Sequence, residues 1–224
     1  MVLDVRSTTQ APFVGTVAVQ SRSLFRVSID ETPDGLRQRH ALCALEITTD
    51  AKAAKTTIPD AFVQSARAAT YPVALESGAD GLVYRADPGP DAIGYDRSRG
   101  SDIPTEPDDV DVLDHEGDGH PGGTVHLRVP VFGTIEVYVA QYAHTRFEGA
   151  LTDRGGVAGL AEVVALDLRV LDASNVLFAR SRPATPVEDA SRFELVPLTE
   201  KTSCETLSAR WGGEGPGELP TFGS

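Results

Sequence analysis

The chain has 224 residues, 41% of them hydrophobic and 24% charged, so it can bury a core and is not disordered throughout. Its formal net charge of -13 argues against a nucleic-acid partner and against an anionic membrane surface, because both attract clustered basic residues. No apolar run approaches the ~20 residues that a spanning helix needs, so we expect no transmembrane segment. The first residues are too few and not basic enough for a signal peptide, so an exported protein would have lost its leader from this sequence.

Short alternating segments dominate the first half of the chain, after residues 1–10, which we interpret as a disordered or edge segment. Period-two alternation predicts strands at 13–20, 23–29, 39–49, 71–76 and 81–85. In the strand at 39–49 the face that carries Cys43 is the more apolar one, so Cys43 is expected to point inward. Pro59 followed by Asp60 suits the start of a short helix within 61–69.

The composition changes to Pro, Gly, Asp and Ser at residue 87 and predicts a long acidic surface loop over 87–123. Further strands are predicted at 123–129, 132–142, 144–151, 157–171 and 191–196. Thr202 and Glu205 have the spacing of a capping box and predict a last short helix. The glycine-rich residues 212–224 are expected to form a flexible tail.

These elements predict one all-β domain over residues 1–211. The expected fold is an antiparallel β-barrel (lipocalin-like) or a sandwich, with one or two short helices.

The two cysteines, Cys43 and Cys204, lie far apart in the sequence. In a secreted protein an even number of cysteines indicates a disulfide, and the alternative is two buried free thiols in a cytoplasmic protein. Neither cysteine lies in a Cys-x-x-Cys or Cys/His setting, which argues against a redox or zinc site.

The densest run of carboxylates lies in residues 108–118, immediately before a glycine-rich turn and a strand. Asp114, Glu116 and Asp118 alternate as the first ligands of a calcium loop do, and Gly119 stands where such a loop turns sharply. The EF-hand pattern then fails, because Val125 occupies the position of the bidentate Glu. What remains is a calcium-type half loop, with the upstream residues Asp108, Asp109 and Asp111 as candidates for further ligands.

Two other interpretations of this loop stay open: a solvated acidic turn, and a transition-metal site that uses His115 and His120. No catalytic motif stands out: the sequence lacks a Gly-x-Ser-x-Gly elbow, a His-Glu-x-x-His motif and a phosphate loop. We therefore expect a protein that is not an enzyme.

The chain resembles predicted secreted proteins and lipoproteins of myxobacteria, in which an Asp-rich Asp-Gly-x-Pro-Gly turn precedes a strand. The segments that carry this resemblance are 58–62, 114–122, 136–141, 145–149 and 193–196, the last leading to Cys204. The chain departs from the pattern at Glu116, where Asp or Asn is usual. The resemblance implies an exported β-rich protein and no catalytic residues.

Together these features predict a non-catalytic, exported β-barrel binding protein with a structural Ca²⁺ loop. It would be periplasmic, anchored to the outer membrane or extracellular. A barrel of about eight strands can hold a small apolar ligand, so a carrier is one specific form. The alternatives are a cell-surface interaction module without a pocket and a carboxylate-dependent hydrolase.

Overall fold

In the computed structural model, which describes residues 1–11, 15–51, 54–79, 81–100, 102–198 and 201–211, twelve strands form one sheet. The strands are β1 (Val2–Ala11), β2 (Gly15–Thr32), β3 (Gly35–Thr49), β4 (Lys55–Thr57), β5 (Ala69–Gly78), β6 (Gly81–Ala86), β7 (Pro90–Ile93), β8 (Gly123–Val129), β9 (Gly133–Leu151), β10 (Val157–Ala173), β11 (Thr185–Pro186) and β12 (Arg192–Leu195). The described helices are α1 (Asp60–Ser65) and α2 (Cys204–Trp211). The predicted all-β fold with short helices is therefore confirmed.

Eight of these strands close into a ring. The antiparallel order β1-β2-β3-β5-β6-β9-β10-β12 returns to β1, because β12 pairs with both β10 and β1. Neighbours in the ring follow one another along the chain, which is the up-and-down topology of a barrel. The described strands β4, β8 and β7 extend the sheet along the free part of β9, and β11 pairs with β1.

Side chains from all eight ring strands fill the interior of the barrel. Its buried members include Tyr71, Val73, Tyr84, Ala86, Phe147, Ala161, Phe193 and Leu195. Phe193 contacts Phe147 and Tyr84, with ring centroids 5.1 Å and 5.8 Å apart. An eight-stranded barrel is just wide enough for side chains to fill, and this one is filled.

A chain of hydrogen bonds crosses this interior. The Tyr84 hydroxyl donates to Gln38 Oε1 at 2.7 Å, and Gln38 Nε2 donates to the Tyr71 oxygen at 2.7 Å. Tyr71 Oη lies 2.9 Å from His40 Nδ1. Because Tyr71 Oη accepts from Gln38, its hydroxyl proton is free to donate, and within this chain of hydrogen bonds its acceptor is His40 Nδ1. His40 is therefore the neutral Nε2–H tautomer, in keeping with burial that lowers the pKa of His40 to about 4.

A disulfide joins Cys43 and Cys204, with a Cα–Cα distance of 4.9 Å, so the predicted pairing is confirmed. Cys43 is buried, as its apolar face predicts, but the cluster that buries it lies beneath α2 on the outside of the ring and not in the barrel interior. The register explains this: Leu24 pairs with Ala44 and Phe25 with Leu42, which leaves Cys43 as the extra residue of a β-bulge. A bulge redirects the side chains on its strand.

The acidic stretch from residue 87 to residue 123 carries more structure than a surface loop. It contains β7 and an isolated bridge from Tyr95 to Val112. Tyr95 is buried against Ala140 of β9 and Leu171 of β10, with Ile103 and Val112 packed beside them. The stretch therefore has a core of its own on the outer part of the β9–β10 hairpin.

Several predicted boundaries changed. Residues 1–10 are not an edge segment, because Val2–Ala11 forms a strand that pairs with β2, β11 and β12. The strands predicted at 132–142 and 144–151 are one continuous strand, β9. The last helix begins at Cys204, so its N-cap is Ser203 instead of the predicted Thr202, and the Ser203 hydroxyl accepts the Thr206 N–H. Neither described helix is long and apolar enough to cross a membrane. The predicted tail at 212–224 lies outside the described residues.

Candidate metal centre

The acidic turn is closed by backbone hydrogen bonds at its base. Asp114 and Gly122 form an isolated parallel bridge, in which His115 N donates to Gly122 O at 3.0 Å and Gly122 N to Leu113 O at 2.8 Å. Gly122 has φ +83°, and a Cβ there would lie 2.4 Å from the Val139 carbonyl oxygen of β9. Only glycine fits at this position, and the close contact anchors the turn to the sheet.

Asp114 organises the turn from inside. Its Oδ1 accepts the N–H groups of Gly117 at 2.7 Å and Asp118 at 3.0 Å, and its Oδ2 accepts that of Gly119 at 2.8 Å. Burial acts to raise the pKa of Asp114, but these three backbone donors outweigh it and lower that pKa. The carboxylate is therefore held in its charged form.

Glu116 and Asp118 are joined to the start of β8 through Thr124. Thr124 N donates to Glu116 Oε1 at 2.9 Å, and its hydroxyl donates to Asp118 Oδ2 at 2.7 Å. His120 N donates to Asp118 Oδ1 at 2.9 Å. The second Glu116 oxygen, Oε2, is buried and has no hydrogen-bond partner among the described residues.

One carboxylate oxygen from each of Asp114, Glu116 and Asp118 lies within 4.8 Å of the others. Burial raises the pKa of Glu116, and the charges of Asp118 and Asp114 raise it further. Three carboxylates this close repel one another, so the turn carries an uncompensated negative charge. A cation between the three carboxylates would offset their repulsion and would give Glu116 Oε2 a ligand contact in place of the missing hydrogen bond.

The other sequence-predicted ligands lie apart from this triad. Asp109 and Asp111 contribute no oxygen to it, and Asp109 Oδ1 instead accepts the Asp111 N–H at 3.0 Å. The His120 ring stacks on Tyr138 with centroids 4.4 Å apart, and the His115 ring lies near Phe62 at 6.3 Å. Among the described residues neither histidine joins a cluster that could hold a metal.

Thr124 and Tyr138 are the parts of the site that the sequence pattern did not reveal. Thr124 is buried and binds two of the three carboxylates, yet in the sequence it is only the second residue of a strand. Tyr138 lies on β9 opposite Thr124, where its ring covers His120. Strand register brings Tyr138 to the site, and a motif search within the turn cannot detect it.

Comparisons of the chain with protein-family models, with curated proteins and with solved structures find no match. The function is therefore inferred from the residues and their geometry.

Proposed function

We propose that the protein is a non-catalytic, exported β-barrel interaction module whose acidic turn binds a structural Ca²⁺ ion. The observation that carries the metal proposal is Glu116 Oε2, a buried carboxylate oxygen without a partner beside two further carboxylates. The other five carboxylate oxygens of the triad accept hydrogen bonds from the turn, which fix them in place. Asp114 Oδ1 accepts two N–H groups, whereas each of the other four oxygens accepts one hydrogen bond and keeps a second lone pair for a cation.

The chemistry of the ligands supports Ca²⁺ in particular. The triad offers oxygen atoms only, which suits a hard cation, and Ca²⁺ completes its shell of 6–8 oxygens with backbone carbonyls and water in flexible geometry. The alternating spacing of Asp114, Glu116 and Asp118 is that of a calcium loop. Asp109 and Asp111 remain predicted ligands, which a variant at Asp109 tests separately from the triad.

The filled barrel favours an interaction module over a carrier. Aromatic rings and the buried Gln38 occupy the space that an apolar ligand would need. The hydrolase alternative gains no support from the triad, because its carboxylates share one turn and are bound by that turn's own amides. A disulfide persists in oxidising compartments, which supports export and agrees with the proposed relation to myxobacterial secreted proteins.

Calorimetric titration of the whole chain with Ca²⁺, after removal of metal by EDTA, tests the metal proposal. We expect saturable heat and a higher melting temperature in Ca²⁺ than in EDTA. Glu116→Gln replaces one carboxylate oxygen by an amide and should weaken Ca²⁺ binding at least about tenfold, since ligand charge sets the affinity.

Glu106→Gln is the matched control, because Glu106 is an exposed carboxylate of the same acidic stretch outside the triad. Asp109→Asn tests the upstream ligands separately. Absence of heat together with an unchanged melting temperature would overturn the metal proposal. Equal losses in Glu116→Gln and Glu106→Gln would show that only the general acidity of the stretch matters.

A further inference from the structure

The hairpin between β8 and β9 ends in an unusual tip. Its turn residues are Pro130, Val131 and Phe132, and Val131 is 88% exposed. Hairpin turns ordinarily carry Asn, Asp or Gly, which water solvates well. Nothing in the backbone requires valine and phenylalanine here, so the apolar tip needs another explanation.

A second apolar turn lies against the first. After β10 the chain turns back through Val176, Leu177 and Phe178, with Val176 79% and Leu177 53% exposed. The turn is held beside β9 by Ser174 N, which donates to Glu136 O at 2.9 Å. The rings of Phe132 and Phe178 meet edge to face with centroids 5.6 Å apart. We call the two turns, residues 130–132 and 176–178, the apolar pole.

The charges around the apolar pole are positive, although the whole chain carries -13. Arg128 lies just before the hairpin tip, directly opposite Lys55 of β4, and Arg180 follows the second turn. Among the described residues none of these three exposed cations forms an ion pair. The stretches 127–135 and 174–187 contain no Asp or Glu.

Like charges that face each other across two strands destabilise a sheet. Lys55 opposite Arg128 is such a pair, with no described carboxylate bridging it. Glu136, which follows the first turn in the sequence, accepts from the Tyr138 hydroxyl, and Asp172, which precedes the second turn, accepts from the N–H of Ala173. The unpaired cations therefore suit an external anionic surface.

We propose that the apolar pole inserts into the interface of an anionic phospholipid bilayer. The pole consists of the projecting tips of two turns, a shape that enters a soft interface, and apolar residues with basic neighbours are the composition of interfacial anchors. A second copy of the chain fits less well. A two-fold contact would set both groups of cations against each other. The net charge of -13 disfavours an anionic surface for the chain as a whole, but it opposes docking through the pole only weakly, because exposed charges beyond about 10 Å are largely screened at 0.1 M salt.

The proposal is tested by cosedimentation with vesicles of phosphatidylcholine alone and of equal parts phosphatidylcholine and phosphatidylserine. The measurements are made in EDTA, so that they do not depend on the proposed Ca²⁺ site. We expect the full chain to prefer the anionic vesicles and to bind more weakly at higher salt. The double variant Val131→Ser/Val176→Ser should lose binding by at least about tenfold, since each buried methylene contributes to anchoring.

Val110→Ser is the matched control, because Val110 is 80% exposed but lies in the acidic stretch far along the chain from the pole. Arg128→Gln, which leaves the apolar tips intact, should weaken binding to the anionic vesicles about fivefold and to the neutral ones not at all.

Absence of sedimentation with either vesicle would overturn the proposal, as would equal losses in the Val110 and pole variants. It would also be overturned if the chain dimerises in sedimentation velocity and Val131→Ser/Val176→Ser makes it monomeric, because the pole would then be a contact between copies. Binding to a protein but to neither vesicle would equally assign the pole to a protein partner.

Discussion

Removing the disulfide should destabilise the protein through its unfolded state more than through lost contacts. The cross-link joins residues 161 positions apart. In the chain-entropy model a loop of that length restricts the unfolded chain by about 17 cal/mol/K, or about 5 kcal/mol at 25 °C. Measured effects are commonly smaller, so we expect Cys43→Ala/Cys204→Ala to lower the free energy of unfolding by about 3–5 kcal/mol.

The folded state should change little in this variant. Leu207 remains buried on the outer face of the ring, and the Ser208 hydroxyl still donates to the Cys43 carbonyl at 2.7 Å, so α2 stays docked. Trp211, the single tryptophan, lies at the end of α2 with the Arg22 guanidinium 4.9 Å from its ring centre. Its fluorescence therefore reports helix docking, while far-ultraviolet circular dichroism reports the sheet.

Urea denaturation followed by both signals is the assay. The chain-entropy account predicts coincident transitions at a lower midpoint than in wild type, and the same shift in wild type unfolded under reducing conditions. Two results would refute it: a loss below about 1 kcal/mol, or a tryptophan transition that precedes the loss of the sheet. The second result would mean that the disulfide mainly holds α2 on the ring. Ser208→Ala is the control for docking and should cost about 1 kcal/mol.

Three further predictions concern the core and the site. Gln38→Leu leaves the buried Tyr84 hydroxyl without its acceptor and removes the donor to Tyr71, which keeps His40, so it should lower the free energy of unfolding by about 2–4 kcal/mol in urea titrations; a neutral effect would contradict the network. His40 has a folded-state pKa of about 4 against an ordinary 6.5, so the unfolded state binds the extra proton between these values. Stability should therefore fall by about 3 kcal/mol as the pH drops from 6.5 to 4, and His40→Gln, which keeps an acceptor, should remove that part of the dependence. Gly122→Ala would place a methyl group 2.4 Å from the Val139 carbonyl oxygen at φ +83° and should lower the melting temperature and weaken any Ca²⁺ binding together; an unchanged melting temperature would show that the contact relaxes easily.

Strand positions followed from the sequence where alternation was local and clear. Period-two alternation located β8, because strand side chains alternate between two faces, and Val and Leu enrichment between flanking glycines located β10. Pro59 and Asp60 located α1 at Asp60–Ser65. The burial of Cys43 followed from its apolar face, but its place beneath α2 did not, because that depends on a bulge, and a bulge arises from the pairing of two strands.

The candidate site was predictable in part for a similar reason. The triad lies within one turn of the sequence, so the spacing of Asp114, Glu116 and Asp118 was enough to bring it together. Thr124 and Tyr138 enter the site through the register of β8 on β9, which no pattern within the turn specifies. The filled interior also needed the structure, since a barrel with the same strand order can be hollow.

The long strand β9 takes part both in the closed ring and in the extension formed by β8 and β4. Its residues from Phe147 to Ala150 lie between β6 and β10 inside the ring, whereas its first residues pair with β8 in the extension, which ends at the three-residue β4. We expect two groups of amides in hydrogen exchange. Those in the ring segment of β9 should exchange only by global unfolding, whereas those in the extension should exchange also by subglobal opening. Because Thr124 links the acidic turn to β8, a bound ion should slow exchange in β8 and leave the ring segment unchanged. The turn would then set the local stability of the extension independently of the barrel.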